Sequence, residues 1–424
     1  MKKILLYFYV VYTLSKFCNG TVRHQFVSRF PKCLEMKRTD ESRSIPGHVY
    51  KDSIPLLNSR NDLIKLGRAP LEQMHEVIFA IQPRNMDELT RILHDVSNPE
   101  SASYGYHLSK DEVNELTSNP EAHATVTSYL HANGVSVLSE TLNGEYITAN
   151  APIAIWERLL NTIFYTFHQT HFDGDTHTVV RAEEYSIPKE LDAHVEGVMN
   201  TIEIPILTHR TRKSVLSTIK NSSLSRKLPG LLIDGVITPE RLRTIYNMSD
   251  SHGSHLSTQA VYAYGDYQFF NPSNLAYFQQ NISMQPLQPA ISIGNHNTTD
   301  ITLDCVEGNL DLQYIMAMSP GSQTIFWHWK RSLGSWLRDV SNYRILPLVL
   351  SISYGGAEAA TSLSEHTLFT TQAKRLAAMG VTILAASGDA GASSHNGVCK
   401  YTPDFPSVNP YVVSVGATEV SAMP

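Results

Sequence analysis

Cysteine is scarce in this sequence: four residues in 424, with no C-x-x-C pair and no Cys/His cluster at zinc spacing. That excludes a disulfide-dense scaffold and indicates no structural metal site. Cys18 falls in the leader described below, and the remaining three, Cys33, Cys305 and Cys399, cannot all pair with one another. Positive charge is not in excess either. Lys plus Arg total 34 against 40 Asp plus Glu, a formal charge of -6, so no polyanion-binding face is indicated and nucleic acid is not expected as a partner. Long apolar runs are also missing. The run Ile4–Leu14 falls short of the roughly 20 residues that span a bilayer, and no later run is longer, so no membrane anchor is expected. What remains is an ordinary globular composition, 42% hydrophobic and 17% charged, with 23 Gly and 21 Pro spread along the chain. At roughly 150 residues per domain the length allows two to three domains.

Lys2 and Lys3 precede the apolar run and small or polar residues follow it to Gly20, the layout of a secretory signal peptide over residues 1–20. Four N-x-[S/T] sequons, at Asn221, Asn247, Asn281 and Asn297, would be acceptors in an exported glycoprotein. The expected destination is the secretory pathway, either lysosome or extracellular space.

Residues 21–208 read as one α+β domain in which short strands and helices alternate. Glu76–Gln82 is strand-like, and Asn85 can cap a helix whose apolar face is Met86, Leu89, Leu93 and Val96. Ser109 and Glu112 form a capping-box pattern, and Asn143-Gly144 suggests a tight hairpin turn between 135–140 and 145–149. From 209 to 228 the composition turns to Ser, Lys and Arg without apolar periodicity, a linker and plausible processing region. From 229 to 424 strands and helices alternate, and the strands are nearly continuous in apolar residues. This pattern is expected when helices cover both faces of a parallel sheet, so the fold class is α/β, doubly wound.

In such sheets the binding crevice lies beyond the carboxyl ends of the strands. Tyr354-Gly355-Gly356 and Ser387-Gly388-Asp389-Ala390-Gly391 stand just past two of them. A helix expected over 300–318 has the apolar stripe Leu303, Val306, Leu310 and Tyr314, and beside it a carboxylate row, Asp304, Glu307 and Asp311. A solvated acidic face would explain the row. Two carboxyls sharing a crevice, however, separate their apparent pKa values and become suited to acid/base work.

Glu307-Gly308-Asn309-Leu310-Asp311 resembles the E-x-x-x-D helix of the sedolisin, or serine-carboxyl, peptidases. Ser353-Tyr354-Gly355, Ser387-Gly388-Asp389-x-Gly391 and the stretch from Phe405-Pro406 to Gly416-Ala417-Thr418 resemble the family's next landmarks in order. Upstream, Tyr104-Gly105-Tyr106-His107-Leu108-Ser109 is similar to a propeptide motif, and Thr238-Pro239 to the start of the mature enzyme, with the lysosomal tripeptidyl-peptidase branch the most similar. The resemblance implies a subtilisin-like sheet preceded by a ferredoxin-like activation propeptide. It also implies a serine-type peptidase precursor, an endopeptidase or a tripeptidyl-peptidase, that acts on peptides or unfolded proteins in acid and is inhibited by its own propeptide. Glu307 would be the general base, Asp311 would orient it and share its charge, and Asp389 would donate from a protonated carboxyl into the oxyanion hole.

The sequence departs from the family in three respects. No G-T-S motif, which carries the family's nucleophile beyond the S-G-D-x-G, occurs up to Pro424, so the chain as given is expected to be inactive. The calcium implied by the resemblance would be bound beyond Pro424, with no ligands expected within the chain, and Cys399 would find its disulfide partner in that later part. Gly356 stands where the tripeptidyl-peptidase branch has an acid. The alternative function is a noncatalytic propeptide with a broken peptidase domain that binds or inhibits a complete relative. Glycoside hydrolysis by paired carboxyls would leave the other motifs unexplained. Finally, 12 of the 18 histidines lie between residues 21 and 228, which suggests a pH switch through His107, His168, His171 and His194 at the domain contact.

Overall fold

The computed structural model describes residues 46–55, 57, 60, 62–170, 176–204, 237–248, 253–264, 269–294, 306–388 and 403–417. The leader, the 209–228 linker, Asp304, Asp389, His171 and all four cysteines lie outside them.

The N-terminal unit runs β1 (His48–Ser53), β2 (Leu63–Arg68), β3 (Met74–Ile81), α1 (Met86–Ser97), α2 (Lys110–Thr117), α3 (Pro120–Ala132) and β4 (Ser136–Glu140). It continues with β5 (Tyr146–Pro152), α4 (Ile153–Leu159), β6 (Phe164–Thr170), β7 (Thr176–Ala182), β8 (Glu184–Pro188) and β9 (Val195–Met199). Its main sheet is antiparallel with strand order β4-β5-β3-β9, the ferredoxin-like order; β1-β8 and β2-β6-β7 are separate small sheets. Alternation along the strands divides the side chains between two faces. Val77, Phe79, Ile147 and Ala149 pack with Val126, Leu130 and Trp156 of α3 and α4. Ile78, Ala80, Tyr146 and Met199 point the other way, against Leu368 of the C-terminal unit.

The C-terminal unit runs α5 (Pro239–Ile245), β10 (Thr258–Tyr264), α6 (Pro272–Asn281), β11 (Ile291–Ile293), α7 (Val306–Met318), β12 (Gln323–Trp329), α8 (Leu333–Asn342) and β13 (Val349–Ile352). After these come β14 (Gly356–Ala357), α9 (Leu363–Ala378), β15 (Thr382–Ala386), β16 (Asp404–Phe405) and β17 (Val413–Val415). Six strands form a sheet in the order β11-β12-β10-β13-β15-β17, every pair parallel. Ala260, Tyr262, Ile325, Trp327, Leu350 and Ile352 face α8 and α9 through Trp336 and Phe369. Val261, Ala263 and Phe326 face α6 and α7 through Leu275, Leu312 and Met316. Helices therefore cover both faces, as the uninterrupted apolar strands require. Because the N-terminal sheet rests on α9, the molecule is layered helix, sheet, helix, sheet, helix.

Local signals in the sequence fared unevenly. The Ser109/Glu112 capping box forms in full, Ser109 Oγ accepting from Glu112 N at 3.2 Å and Glu112 Oε2 from Ser109 N at 2.7 Å. Thr238 caps α5 as expected, accepting from Arg241 N at 3.3 Å. Asn85 does not cap α1: its backbone is left-handed at φ 55°, and its side-chain amide donates to Leu116 O at 2.9 Å, tying α1 to α2. The Asn143-Gly144 connection is not a two-residue turn, since Glu140 pairs with Ile147 and Thr141 Oγ1 accepts from both Glu145 N and Tyr146 N. Helix α6 was not expected, although Asn271 before Pro272 is a start signal and its carboxamide oxygen accepts from Ser273 N and Asn274 N.

The acidic helix also turns differently from the expectation. It is described from Val306, and Val306 is 47% exposed, while Leu312 and Met316 are buried with Gly308 in line. The stripe through Leu303, Val306, Leu310 and Tyr314 is therefore not the docking face. Gly308 decides the orientation: a Cβ there would lie 2.5 Å from Phe269 O and 3.3 Å from Phe326, so only glycine lets the helix sit this close to the sheet.

Candidate active site

The three expected landmarks meet at the carboxyl edge of the parallel sheet. Ser353-Tyr354-Gly355 follows β13 and Ser387-Gly388 follows β15. The short β14 and β16 pair, joining Gly356 to Phe405 and Ala357 to Asp404. A Cβ on Gly355 would lie 2.4 Å from Phe405 O, and one on Gly388, at φ 94°, would lie 1.7 Å from Asp404 Oδ2. Both glycines are thus required by close approach of the F-P segment, which brings the motifs into one place. Asp389, the next residue, lies outside the described residues and is given no position.

Glu307 occupies the first turn of α7, where the helix dipole favours a carboxylate, and Asp311 lies one turn later on the same face. Ser353 Oγ donates to Asp311 Oδ1 at 3.0 Å. Asp311 Oδ2 is buried and has no hydrogen-bond partner among the described residues. Burial pushes the Asp311 carboxyl well above the usual carboxylate range; the charge of Glu307 pushes it further, and the Ser353 hydrogen bond opposes both. The Tyr354 phenol is raised by burial and further by the charges of Glu307 and Asp311. Its ring meets Tyr262 edge-on at 5.7 Å.

Glu307 and Asp311 thus lie one turn apart on α7 with the charge of one bearing on the other, and the Asp311 carboxyl is turned away from solvent at Oδ2. The part played by Ser353 was not legible: S-Y-G was visible only as a landmark, and a serine at a strand end carries no signal of the carboxyl it will meet. Among the described residues no three His, Cys, Asp or Glu side chains converge to hold a metal.

Residues 61–204 match the family model of the pro-kumamolisin activation domain. Tripeptidyl-peptidase 1 of Dictyostelium discoideum is 27% identical over 376 residues, 80% of this chain and 61% of the relative. Human tripeptidyl-peptidase 1 is 30% identical over 379 residues, 84% of this chain and 63% of the relative. Physarolisin of Physarum polycephalum is 28% identical over 385 residues, 86% and 63% respectively. The chain thus spans 61% to 63% of the length of these relatives. A solved Pseudomonas sedolisin, a serine-carboxyl proteinase, overlaps 42% of this chain and 52% of its own at 22% identity and a TM-score of 0.34; the fold assignment rests on strand order, not on that overlap. The ferredoxin-like unit thus matches an activation domain, and the similarity to tripeptidyl-peptidase 1 and physarolisin runs on through the parallel sheet.

Proposed function

We propose that this chain is the N-terminal part of an acid-acting serine-carboxyl peptidase precursor that hydrolyses peptide bonds in peptides or unfolded proteins. The observation that supports it most is the Asp311 carboxyl, whose buried Oδ2 has no hydrogen-bond partner among the described residues and whose pKa burial and then the charge of Glu307 push well up. Glu307 accepts the proton of a serine hydroxyl as that oxygen bonds to the scissile carbonyl carbon. Asp311 stabilises the charge on Glu307 while the base is ionised. Asp389, protonated in acid, donates to the carbonyl oxygen as it becomes an oxyanion. Glu307 then returns the proton to the leaving amine, and water hydrolyses the acyl-enzyme by the same route. The serine is not in this sequence, so the chemistry belongs to a chain extended through a G-T-S segment.

The activation domain inhibits by covering the C-terminal unit, and the 209–228 linker is where it is cut away. A signal peptide, glycosylation at the sequons and delivery to the lysosome or the exterior complete the proposal. Asn247 and Asn281 are both exposed, as acceptors need to be.

Glu307→Gln in the extended chain tests the proposal. Peptide hydrolysis should fall at least about 100-fold with the fold intact, since Gln keeps the volume but cannot take a proton. Near-full activity would remove Glu307 from its role. An extended wild-type chain that binds a complete relative but turns over no peptide would favour the noncatalytic alternative.

A further inference from the structure

Ser353 has a more specific place in this site than its motif suggests. Strand β13 pairs in parallel with β10, Val261 lying opposite Ser351. Val261 faces α7, and Leu350 and Ile352 face α8 and α9. By the two-residue period, Ser351 and then Ser353 project toward α7. Strand parity thus aims the Ser353 hydroxyl at the acidic helix, and it reaches Asp311 Oδ1 at 3.0 Å.

A neutral carboxyl has one oxygen that carries the proton and one that only accepts. A hydroxyl donating to Oδ1 makes that oxygen the acceptor. The proton then belongs on Oδ2, the buried oxygen that has no hydrogen-bond partner among the described residues. We infer that Ser353 is a positioning residue that selects the Asp311 oxygen bearing the proton, presenting an Oδ2–H to Glu307 one helical turn away. The inference rests on the proposed pairing of Glu307 with Asp311. Among the described residues the charge of Glu307 bears on Asp311 from its own helix, and the charge of Asp311 bears in turn on the Tyr354 phenol at the strand end.

The hydroxyl matters in two ways. Its bond persists and strengthens when Asp311 ionises, because a hydrogen bond to a charged acceptor is the stronger one. Removing it therefore raises the Asp311 pKa further and leaves the two oxygens equivalent, so that the proton is shared between a productive and an unproductive position. Threonine retains the donor; alanine does not.

The test uses the chain as it stands, labelled with 13C at the aspartate carboxyl, with the Asp311 resonance identified by its loss in Asp311→Asn. Ser353→Ala should move the Asp311 titration midpoint up by about one pH unit, as expected for loss of a hydrogen bond to an ionisable carboxyl. Ser353→Thr should return it to within a few tenths of the wild-type value. Near-native dispersion of the other aspartate resonances checks folding in each variant, and Ser353→Cys, a weak donor, should fall between the two. A midpoint unchanged in Ser353→Ala, or displaced as far in Ser353→Thr, overturns the inference. Because the readout needs no turnover, it separates from the peptidase proposal. Should Glu307→Gln leave hydrolysis intact while Ser353→Ala still moves Asp311, the catalytic assignment fails and the Ser353 contact stands.

Discussion

Two of the places where this molecule takes carboxylates out of water surround them differently. At the contact between the activation domain and α9, Glu145 is 9% exposed and ion-paired with Arg375, itself 3% exposed. Arg375 also donates to Thr117 Oγ1 at 2.6 Å and Asn114 Oδ1 at 2.7 Å, so one guanidinium gathers three partners from the activation domain. At the carboxyl edge of the sheet, Asp311 is buried beside another carboxylate, with a serine where a cation would be expected. Burial raises the Glu145 carboxyl and Arg375 opposes that shift, so the pair fixes a geometry. A buried carboxyl given a like-charged neighbour is kept neutral and becomes available for proton transfer. The first arrangement holds two units together, and the second is suited to chemistry.

The largest effect on this contrast should come from breaking the cation. Arg375→Met leaves Glu145 buried without its paired guanidinium, a loss of about 3–5 kcal/mol. It should be seen as a lower denaturant midpoint and faster amide exchange at Met199 and Leu368, which face each other across the contact. Glu145→Gln added to Arg375→Met should recover part of the loss. A midpoint that does not move would mean the apolar and hydroxyl contacts alone hold the units together.

A somewhat smaller effect is expected from acid. His75 is buried, bonded through Nε2 to Asn200 O at 2.8 Å, and burial lowers its pKa from 6.5 to about 4. Below pH 6.5 the unfolded chain takes up a proton that the folded activation domain refuses. Stability is therefore complete above that value and declines by roughly 3 kcal/mol as pH falls to about 4. Trp156 donates to His75 O at 2.8 Å and is the one tryptophan before the linker, so its emission follows this unit. His75→Leu should flatten the acid decline, and a decline of unchanged size would exclude His75.

Glu196 should act with the opposite sign. Thr371 donates to it across the contact at 2.5 Å, and burial pushes its pKa up to about 7. A raised carboxyl stabilises the folded form fully below 4.5 and loses that contribution as pH climbs through about 7, so this glutamate favours the contact in acid. Glu196→Gln, which still accepts from Thr371, should cost little at pH 5 and gain stability at pH 8. Comparing the two denaturation midpoints checks it.

These signs revise the histidine expectation. Of the four histidines, His107 lies on the contact, where a Cβ on Gly380 would meet its ring at 2.9 Å and Leu108 N donates to Ala378 O at 2.9 Å. His168 pairs with Ile64 and Thr178 inside the small sheet β2-β6-β7. The His194 carbonyl accepts from Gln82 N within the activation domain. Burial lowers the pKa of His75 instead, within the activation domain's own core. Crowding of histidines in the sequence did not reveal which one is desolvated, because that depends on Phe164 and Asn200, remote in the chain.

Much of the architecture was legible because it rests on local rules. β12 falls on Gln323–Trp329 as expected, and α9 ends near Gly380, whose φ of 86° suits glycine. The Ser109 box and the Thr238 cap need only neighbours three residues away. The misread features depended on distant partners: Asn85 was drawn to Leu116, and α7 was turned by Gly308 meeting Phe269.

The sequence by itself determined that two units alternate differently in strand and helix, that the second is a parallel sheet covered on both faces, and that Glu307 and Asp311 share a helical face. Periodicity and i,i+4 spacing are properties of one chain segment. The tertiary structure alone decided which face of that helix meets the sheet, that Ser353 reaches Asp311, and that Arg375 of α9 gathers Glu145, Thr117 and Asn114. Each of these depends on which groups are desolvated together, and burial is set by the packing of segments far apart in sequence.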